Sequence, residues 1–207
     1  MKPIRAELCS KERSLPELRF ETQHLTSFSG LVVIEALFER LKLAERLQRA
    51  FRGQNGGSYG FWRLFVMLVT HLLLGFRQLR DAQSYRTDPL VKRIVGLRQL
   101  PDVSTLSRRL GELDSRSIAK THEENRLLVL EGLGEHGLRR YTLDFDGSVV
   151  STRRHAEGTA VGFNRKRKGL RSYYPLLCTV AQSGQVFDLL HRSGNVHDSR
   201  GAGAFMT

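Results

Sequence analysis

Apolar residues in the first two thirds of the chain recur at steps of three and four, which is the spacing of one face of an α-helix. Between residues 28 and 51 this pattern predicts a single amphipathic helix. A strongly apolar stretch over residues 59–75 predicts a buried helix, which Ser58 is placed to cap. Further helices are predicted at residues 79–85, at 88–94 from Asp88-Pro89 onward, at 104–110 with Asp102 or Ser104 as the cap, and at 115–133.

After Gly137 the spacing of apolar residues changes to a period of two, which is typical of strands. Residues 141–146 alternate apolar and polar and predict a first strand. Two more strands are predicted at 173–181 and 185–192, with a tight turn between them, and a helix is expected to begin near Asn195. We predict an α+β fold class: an extended arm (1–27), an α-helical region (28–137), and a three-stranded meander whose first two strands are joined by a loop over residues 151–172.

The charge balance indicates the kind of partner. The chain of 207 residues has 33 Lys and Arg against 21 Asp and Glu, a formal net charge of +12 with a sequence pI near 10.4. Of these cations 26 are Arg and 7 are Lys, and the planar guanidinium group suits two-point contacts to phosphate. We therefore expect a polyanion, and specifically a nucleic acid, as the partner.

Several function classes are excluded by what the sequence lacks. Cys9 and Cys178 are the two cysteines, too few for a disulfide framework or a four-cysteine zinc site. The apolar run over residues 61–76 is too short to span a bilayer comfortably, and the N-terminus lacks the apolar core of a signal peptide. Motifs of ATP-binding loops and of serine hydrolases are absent. A reducing cytoplasm is the predicted compartment.

Asp144 and Asp146 are two residues apart on the first predicted strand, so their carboxylates share one face of it. Carboxylate oxygens are the ligands that Mg²⁺ prefers. The alternative interpretation is that one of the two is an ordinary solvent-facing strand residue. One strand cannot complete a two-metal site, and further carboxylates would have to come from elsewhere, with these candidates in the chain: Glu157, Asp188 and Asp198.

The predicted loop after the first strand is strongly basic. Its cations face a single acid, Glu157, which is too few acids for a balanced solvated surface, and each cation that neutralises a phosphate adds salt-dependent affinity. Phe163 or Tyr173 is placed to stack on a base. The predicted DNA-binding residues of the loop are Arg153, Arg154, Arg165, Lys166, Arg167, Lys168 and Arg171, and those of the helix at 104–110 are Arg108 and Arg109. Weaker candidates are Arg77, Arg80, Arg86, Arg93 and Arg98.

The stretch Leu143-Asp144-Phe145-Asp146-Gly147-Ser148 resembles motifs of two families. One is that of the haloacid-dehalogenase-type phosphatases, which need a downstream Lys and an acidic pair over a long αβ repeat. Only 61 residues follow Asp146, and they predict a basic loop and a meander, so this match fails on context. A small metal-dependent phosphatase is therefore the weakest of the functional alternatives.

The second resemblance, to bacterial insertion-sequence transposases of the DDE class, covers residues 141–203 and less distinctively 28–110. It rests on the Leu-Asp-x-Asp-Gly-Ser strand and on the segments 158–164, 172–177 and 192–197, which read Gly-Thr-Ala-Val-Gly-Phe-Asn, Ser-Tyr-Tyr-Pro-Leu-Leu and Arg-Ser-Gly-Asn-Val-His. The resemblance implies an RNase H-like catalytic domain over residues 138–207. It also implies Asp146 as the first catalytic Asp, Asp144 as a metal-side helper or the alternative, Mg²⁺ as the cofactor, and transposon-end double-stranded DNA as the partner.

The family's second Asp and its Glu lie on later elements, which this sequence does not contain. We therefore expect a truncated transposase with an incomplete RNase H-like domain, one that binds DNA without cutting it alone. The alternative is a stand-alone DNA-binding inhibitor or regulator of transposition. The same resemblance implies a bacterial, nucleoid-associated location, and it allows for a homodimer.

Overall fold

The computed structural model describes residues 25–54, 57–152, 155–162, 164, 167–197 and 199–206. The predicted arm lies outside these residues except for its last three. We call residues 25–137 the helical region and residues 138–206 the sheet region. The helices of the helical region are α1 (Leu31–Arg40), α2 (Leu43–Ala50), α3 (Phe61–Leu73), a 3₁₀ helix (Leu79–Tyr85), α4 (Pro89–Val95), α5 (Val103–Gly111) and α6 (Ser115–His136).

The single helix predicted over residues 28–51 is wrong, because the chain breaks it into α1 and α2. Lys42 lies at the break with a φ of 50°, in the left-handed region that ends a helix. Both helices nevertheless contribute to one core, since Leu31 and Leu47 are buried in the same cluster. The spacing of apolar residues therefore stays helical on both sides of Lys42, so it does not predict that the helix is broken there.

Of the predicted helix caps, Asp102 at α5 is confirmed and Ser58 at α3 is wrong. Asp88, Asp102 and Asp114 are the N-cap residues of α4, α5 and α6, and each accepts backbone N–H groups of the first turn. The predicted cap Ser58 is wrong, because α3 begins after Gly60, whose φ of 62° is available to glycine and strained for serine.

Apolar side chains of α1 to α5 meet in one core, in which Leu64 and Leu106 are each 1% exposed. This core includes a buried polar pair: Nδ1 of His71 lies 2.8 Å from the hydroxyl oxygen of Tyr85. Burial lowers the pKa of His71, so the imidazole is kept neutral. Within the described residues no helix combines the length and the apolar character that a membrane span requires.

The sheet region contains β1 (Leu143–Gly147), β2 (Val150–Ser151), β3 (Ala160–Val161), β4 (Arg171–Tyr173), β5 (Leu176–Val180), β6 (Val186–Leu190) and helix α7 (Ala202–Met206). Strands β1, β5 and β6 form an antiparallel sheet in the order β1-β5-β6, which confirms the predicted meander. The predicted loop over residues 151–172 is wrong, because it contains strands of a second sheet with the order β2-β4-β3. Strands of two or three residues are too short to show a period of two.

Helix α6 contacts both the other helices of the helical region and the main sheet of the sheet region. Towards α2 its contacts are ionic: Glu124 accepts two hydrogen bonds of 2.8 Å from the Arg49 guanidinium, and the buried Arg46 pairs with both Glu124 and Glu131. Towards the sheet, Val129 and Leu133 bury Val180. The orientation of the two regions is therefore set along this one helix.

Candidate active site and nucleic-acid interface

The two strand carboxylates lie where the alternation of β1 puts them. Asp144 is paired with Thr179 of β5 and Asp146 with Leu177, so the four side chains share one face of the sheet. Both aspartates are exposed. The structure therefore presents both carboxylates together at an accessible face.

The opposite face of the same sheet is covered. Phe145 shares that face with Cys178 and packs edge-on against Phe205 of α7, with a ring separation of 5.9 Å. Cys178 and Val180 are buried there. Because one face is packed and the other is open, the register of β1 decides that Asp144 and Asp146 meet solvent.

The residue after β1 is hydrogen-bonded to a segment that also contacts a buried arginine. The N–H of Ser148 donates to the carbonyl of Pro175 at 3.0 Å. The preceding residue, Tyr174, donates its N–H to the carbonyl of Arg192 at 2.8 Å and accepts from Nε of that arginine at 3.0 Å. Arg192 also donates to the carbonyl of Arg200 at 3.0 Å. The backbone just after Asp146 is thus tied to the segment before β5, and that segment is tied to Arg192.

Asp188 does not complete the site. It is paired with Cys178, and Cys178 with Phe145, so it lies on the packed face, opposite to Asp146. Only 8% exposed, it contacts Nδ1 of His122 at 2.6 Å and Nη1 of Arg126 at 2.8 Å. Burial opposes its ionisation, but the hydrogen bond from His122 and the neighbouring charges outweigh burial and lower the pKa of Asp188.

The other two candidate carboxylates, Glu157 and Asp198, are not placed beside Asp144 and Asp146 by any contact in the described residues. Glu157 is exposed, and its backbone carbonyl accepts a hydrogen bond of 2.6 Å from the Tyr173 hydroxyl. Asp198 lies outside the described residues. In the part of the chain that the structure describes, no group of three or more His, Cys, Asp or Glu side chains is placed to hold a metal ion.

The second sheet, which has three short strands, is held together by polar side chains. The Arg171 guanidinium donates to both the hydroxyl and the carbonyl of Thr159, with 3.0 Å to the hydroxyl. Asn164 is buried; its Nδ2 donates to the Ser151 hydroxyl at 2.8 Å, and its Oδ1 accepts the N–H of Arg167 at 3.0 Å. We call residues 150–173 the basic hairpin. Its predicted DNA contact Arg171 is thus engaged within the protein.

Two glycines let the basic hairpin approach the segment after β6. A Cβ on Gly162 would lie closer than 3.0 Å to the carbonyl oxygen of Gly194. A Cβ on Gly194 would lie closer than 3.0 Å to Ser172 and to the carbonyl oxygen of Ala160. We call this contact the glycine clasp. It brings together three of the separate sequence segments named above, which contain Gly162, Ser172 and Gly194.

The predicted DNA-binding cations have different surroundings. Arg167 and Lys168 are exposed at the tip of the basic hairpin, and Arg108 is exposed on α5. Arg109 forms an ion pair of 2.5 Å with Glu112. The predicted residues that lie outside the described part are Arg153, Arg154, Arg165, Lys166 and the stacking candidate Phe163.

The remaining candidates are partly engaged as well. The Tyr173 ring packs against His191 at a ring separation of 4.6 Å. Arg93 forms an ion pair with Glu35 across α4 and α1. Arg77, Arg80 and Arg98 are exposed, and Arg86 is half-buried.

Sequence reasoning missed Arg192 and the glycine clasp as structural parts of the site. Arg192 resembles any other cation in a basic chain, because its partners are backbone carbonyls that lie up to 18 residues away. Gly162 and Gly194 could have been singled out from the sequence, because both lie in the segments that resemble DDE-class transposases. What each glycine touches is not visible in the sequence.

Comparison with known proteins gives one positive result. The chain matches the model of the family described as "Transposase DDE domain group 1" over residues 10–207. No curated protein and no solved structure matches the chain.

Proposed function

Since the chain belongs to the transposase DDE domain group 1 family, we propose that it acts on the DNA of a bacterial insertion sequence by metal-dependent cleavage and transfer of strands. The observation that carries this proposal is the placement of Asp144 and Asp146 on the open face of β1. The basic hairpin, which follows β1 directly in the chain, would hold the DNA beside them.

The order β1-β5-β6 with a covering helix on one face supports an RNase H-like assignment for residues 138–207. In this assignment residues 28–137 are the DNA-binding region. The exposed arginines Arg77, Arg80, Arg98 and Arg108 of the helical region support that role, because exposed guanidinium groups bind phosphate with salt-dependent affinity.

The two aspartates fit a hard divalent cation such as Mg²⁺ in the chemistry of their donor atoms. A cation held there would act as a Lewis acid on a DNA phosphodiester. Two carboxylates are fewer than a two-metal site uses, so the remaining ligands must come from residues other than Asp144 and Asp146.

Asp146 is the residue we assign as catalytic, with Asp144 as its helper. Asp146 stands next to the end of β1, where the bond from Ser148 to Pro175 fixes the backbone and the chain turns towards the basic hairpin. Asp144 stands in the middle of the strand opposite Thr179. The carboxylate nearer the hairpin is the one nearer the bound DNA backbone in this assignment.

DNA affinity in this proposal comes mainly from cations that neutralise phosphates. Arg167 and Lys168 are exposed at the hairpin tip, and the sequence adds Arg153, Arg154, Arg165 and Lys166 to the same segment. Each phosphate contact contributes to a linear fall of log affinity with log salt concentration. We expect the duplex DNA of transposon ends as the partner. Whether the chain forms a homodimer is measured by light scattering.

The test is Mg²⁺-dependent nicking of a short duplex by the purified chain, with a salt titration of its binding to the same duplex. Nicking that Asp146→Asn abolishes, and that the matched variant Glu39→Gln at an exposed carboxylate of α1 leaves intact, would support the catalytic assignment. Steeply salt-dependent binding without nicking would mean that this chain alone is limited to DNA binding, as expected from the sequence, and it would also fit the alternative, a DNA-binding inhibitor or regulator of transposition. A chain that neither binds nor nicks duplex DNA would contradict the proposal.

A further inference from the structure

Helix α5 has one buried and one exposed face. Leu106 points into the core of the helical region and is 1% exposed. The opposite face is a stripe of exposed residues, and its spacing of three and four residues places it along one side of the helix. The members of this stripe, which we call the outer face of α5, are Ser104, Ser107, Arg108 and Gly111.

The two consecutive arginines of α5 have different roles. The Arg109 guanidinium forms the 2.5 Å ion pair with Glu112 and lies over the ring of Phe61, 6.0 Å from its centre. It therefore holds α5 against the start of α3. Arg108 is exposed and has no ion-pair partner among the residues that the structure describes. Arg108 is the arginine of this pair that is available to a ligand.

The N-terminal end of α5 is already capped by Asp102. The side of the helix is therefore the surface that remains for a ligand. Asp102 accepts the backbone N–H of Thr105 at 2.7 Å and the hydroxyl of Ser104 at 2.8 Å. These bonds, together with the charge of Arg86, lower the pKa of Asp102, so a carboxylate stands where a phosphate would otherwise approach the helix. A polyanion therefore approaches the outer face and not the N-terminus.

Two exposed cations lie on segments that adjoin α5. Arg80 is exposed on the 3₁₀ helix, which packs against α5. Arg98 is exposed in the connection that leads from α4 to α5. The connection is rigid, because Leu100 and Pro101 within it are buried. Helix α5 is thus held on a packed support, and the neighbouring segments carry two exposed cations.

We propose that α5 enters the major groove of duplex DNA and that Arg108 contacts base edges there, which deepens the proposed function and rests on it. The groove is about 12 Å wide and admits a helix. Ser104, Ser107 and Gly111 are small, so the helix backbone comes close to the bases. Arginine donates two hydrogen bonds to guanine, and serine bonds to several bases. Arg80 and Arg98 contact the flanking phosphates.

The test begins with selection of bound sequences by the full chain from a library of random duplexes of about 20 base pairs. Affinity is then measured for the selected duplex and for a scrambled duplex of the same composition. We expect Arg108→Ala to reduce the preference for the selected duplex about 10-fold. Arg108→Lys, which keeps the charge, should lose preference while it retains affinity for the scrambled duplex. Arg167→Ala at the hairpin tip should weaken both duplexes alike.

Matched controls separate recognition from folding. Arg108→Ala should leave the thermal unfolding temperature unchanged, since the side chain is exposed, whereas Arg109→Ala should lower it. An Arg108→Ala chain that loses affinity for both duplexes equally would reduce Arg108 to a phosphate contact and overturn the inference, while the proposed function would stand. A wild-type chain that selects no sequence would overturn it in the same way. Failure of the wild-type chain to bind any duplex would overturn both.

Discussion

Helices α1 to α5 bury a continuous apolar core around Leu64 and Leu106, whereas the main sheet buries Val180 against Val129 and Leu133 of α6. The small sheet beside it depends on polar groups and close backbone contacts, such as the buried Asn164 and the glycine clasp. The helical region is therefore stabilised mainly by apolar area, whereas the sheet region combines a smaller apolar core with hydrogen bonds and close backbone contacts. The proposed catalytic residues, Asp144 and Asp146, lie in the sheet region. Hydrogen bonds and close backbone contacts restrict the backbone there, which suits a site that must hold carboxylates in fixed positions.

The largest effect should follow from a cavity in the helical core. Leu64→Ala removes a side chain that is 1% exposed, and we expect a loss of about 3 kcal/mol in the free energy of unfolding. Hydrogen exchange should accelerate most in α1 to α5. The variant Leu72→Ala, at an exposed leucine of the same helix, is the control and should change stability little. Equal losses in the two variants would show that this core does not carry the stability of the region.

A smaller and more local effect should follow from filling the glycine clasp. Gly194→Ala places a Cβ against the backbone of Ser172 and Ala160, and overpacking of this kind costs about 2 kcal/mol. We expect faster hydrogen exchange in the sheet region with little change in α1 to α5. Gly134→Ala on α6, where a Cβ has open space, is the control and should be neutral or stabilising. Acceleration throughout the chain would contradict the separate stabilisation of the two regions.

Acid should act on the two regions in different pH windows. The pKa of His71 is lowered from its ordinary value of 6.5 by burial, so the unfolded chain binds this proton more readily. The His71 contribution is therefore present above about pH 6.5 and is lost as the pH falls below it. The pKa of Asp188 is lowered from 3.8, so its contribution is lost only as the pH falls through still lower values.

Hydrogen exchange at stepped pH measures this order. The helical region should lose protection first, between pH 6.5 and the onset of carboxylate protonation. In His71→Phe the early loss should disappear, while the later loss in the sheet region stays. An early loss that persists in this variant would show that a different group is responsible.

The smallest effect should come from the ionic contacts between α2 and α6. Arg49→Gln removes the partly exposed charge that pairs with Glu124, and we expect a loss of stability at low salt that is smaller than those of Leu64→Ala and Gly194→Ala. The difference from wild type should shrink as salt is added, because the pair with Arg49 is partly exposed. Urea unfolding at two salt concentrations measures this. A difference that is independent of salt would mean that the hydrogen-bond geometry matters more than the charge.

Much of this architecture could be predicted from sequence where one residue pattern decides it. The alternation over residues 141–146 gave β1 and the shared face of Asp144 and Asp146, and the Asp-Pro pair gave the start of α4. The break at Lys42 could not be predicted, since it leaves the apolar spacing intact. The strands β2, β3 and β4 are stabilised by partners distant in sequence, which no local pattern records.

The candidate site was predictable to a similar extent. Its carboxylates follow from the period of a strand, but the face of Asp188 depends on the pairing of β6 with β5, where the register shifts next to Cys178. The different surroundings of Arg108 and Arg109 depend on contacts with Glu112 and Phe61. Charge alone treats these two arginines as equivalent, and tertiary structure separates them.

The small apolar core of the sheet region has a thermal consequence. The heat capacity change of unfolding grows with the apolar surface exposed, so the sheet region should contribute little to it, and the large core around Leu64 should contribute most. The stability of the helical region is therefore strongly curved with temperature and weakens on cooling as well as on heating. The carboxylates of β1 stand on a sheet whose own stability changes far more gradually, and their arrangement should persist over a wider range of temperature wherever α6 remains docked.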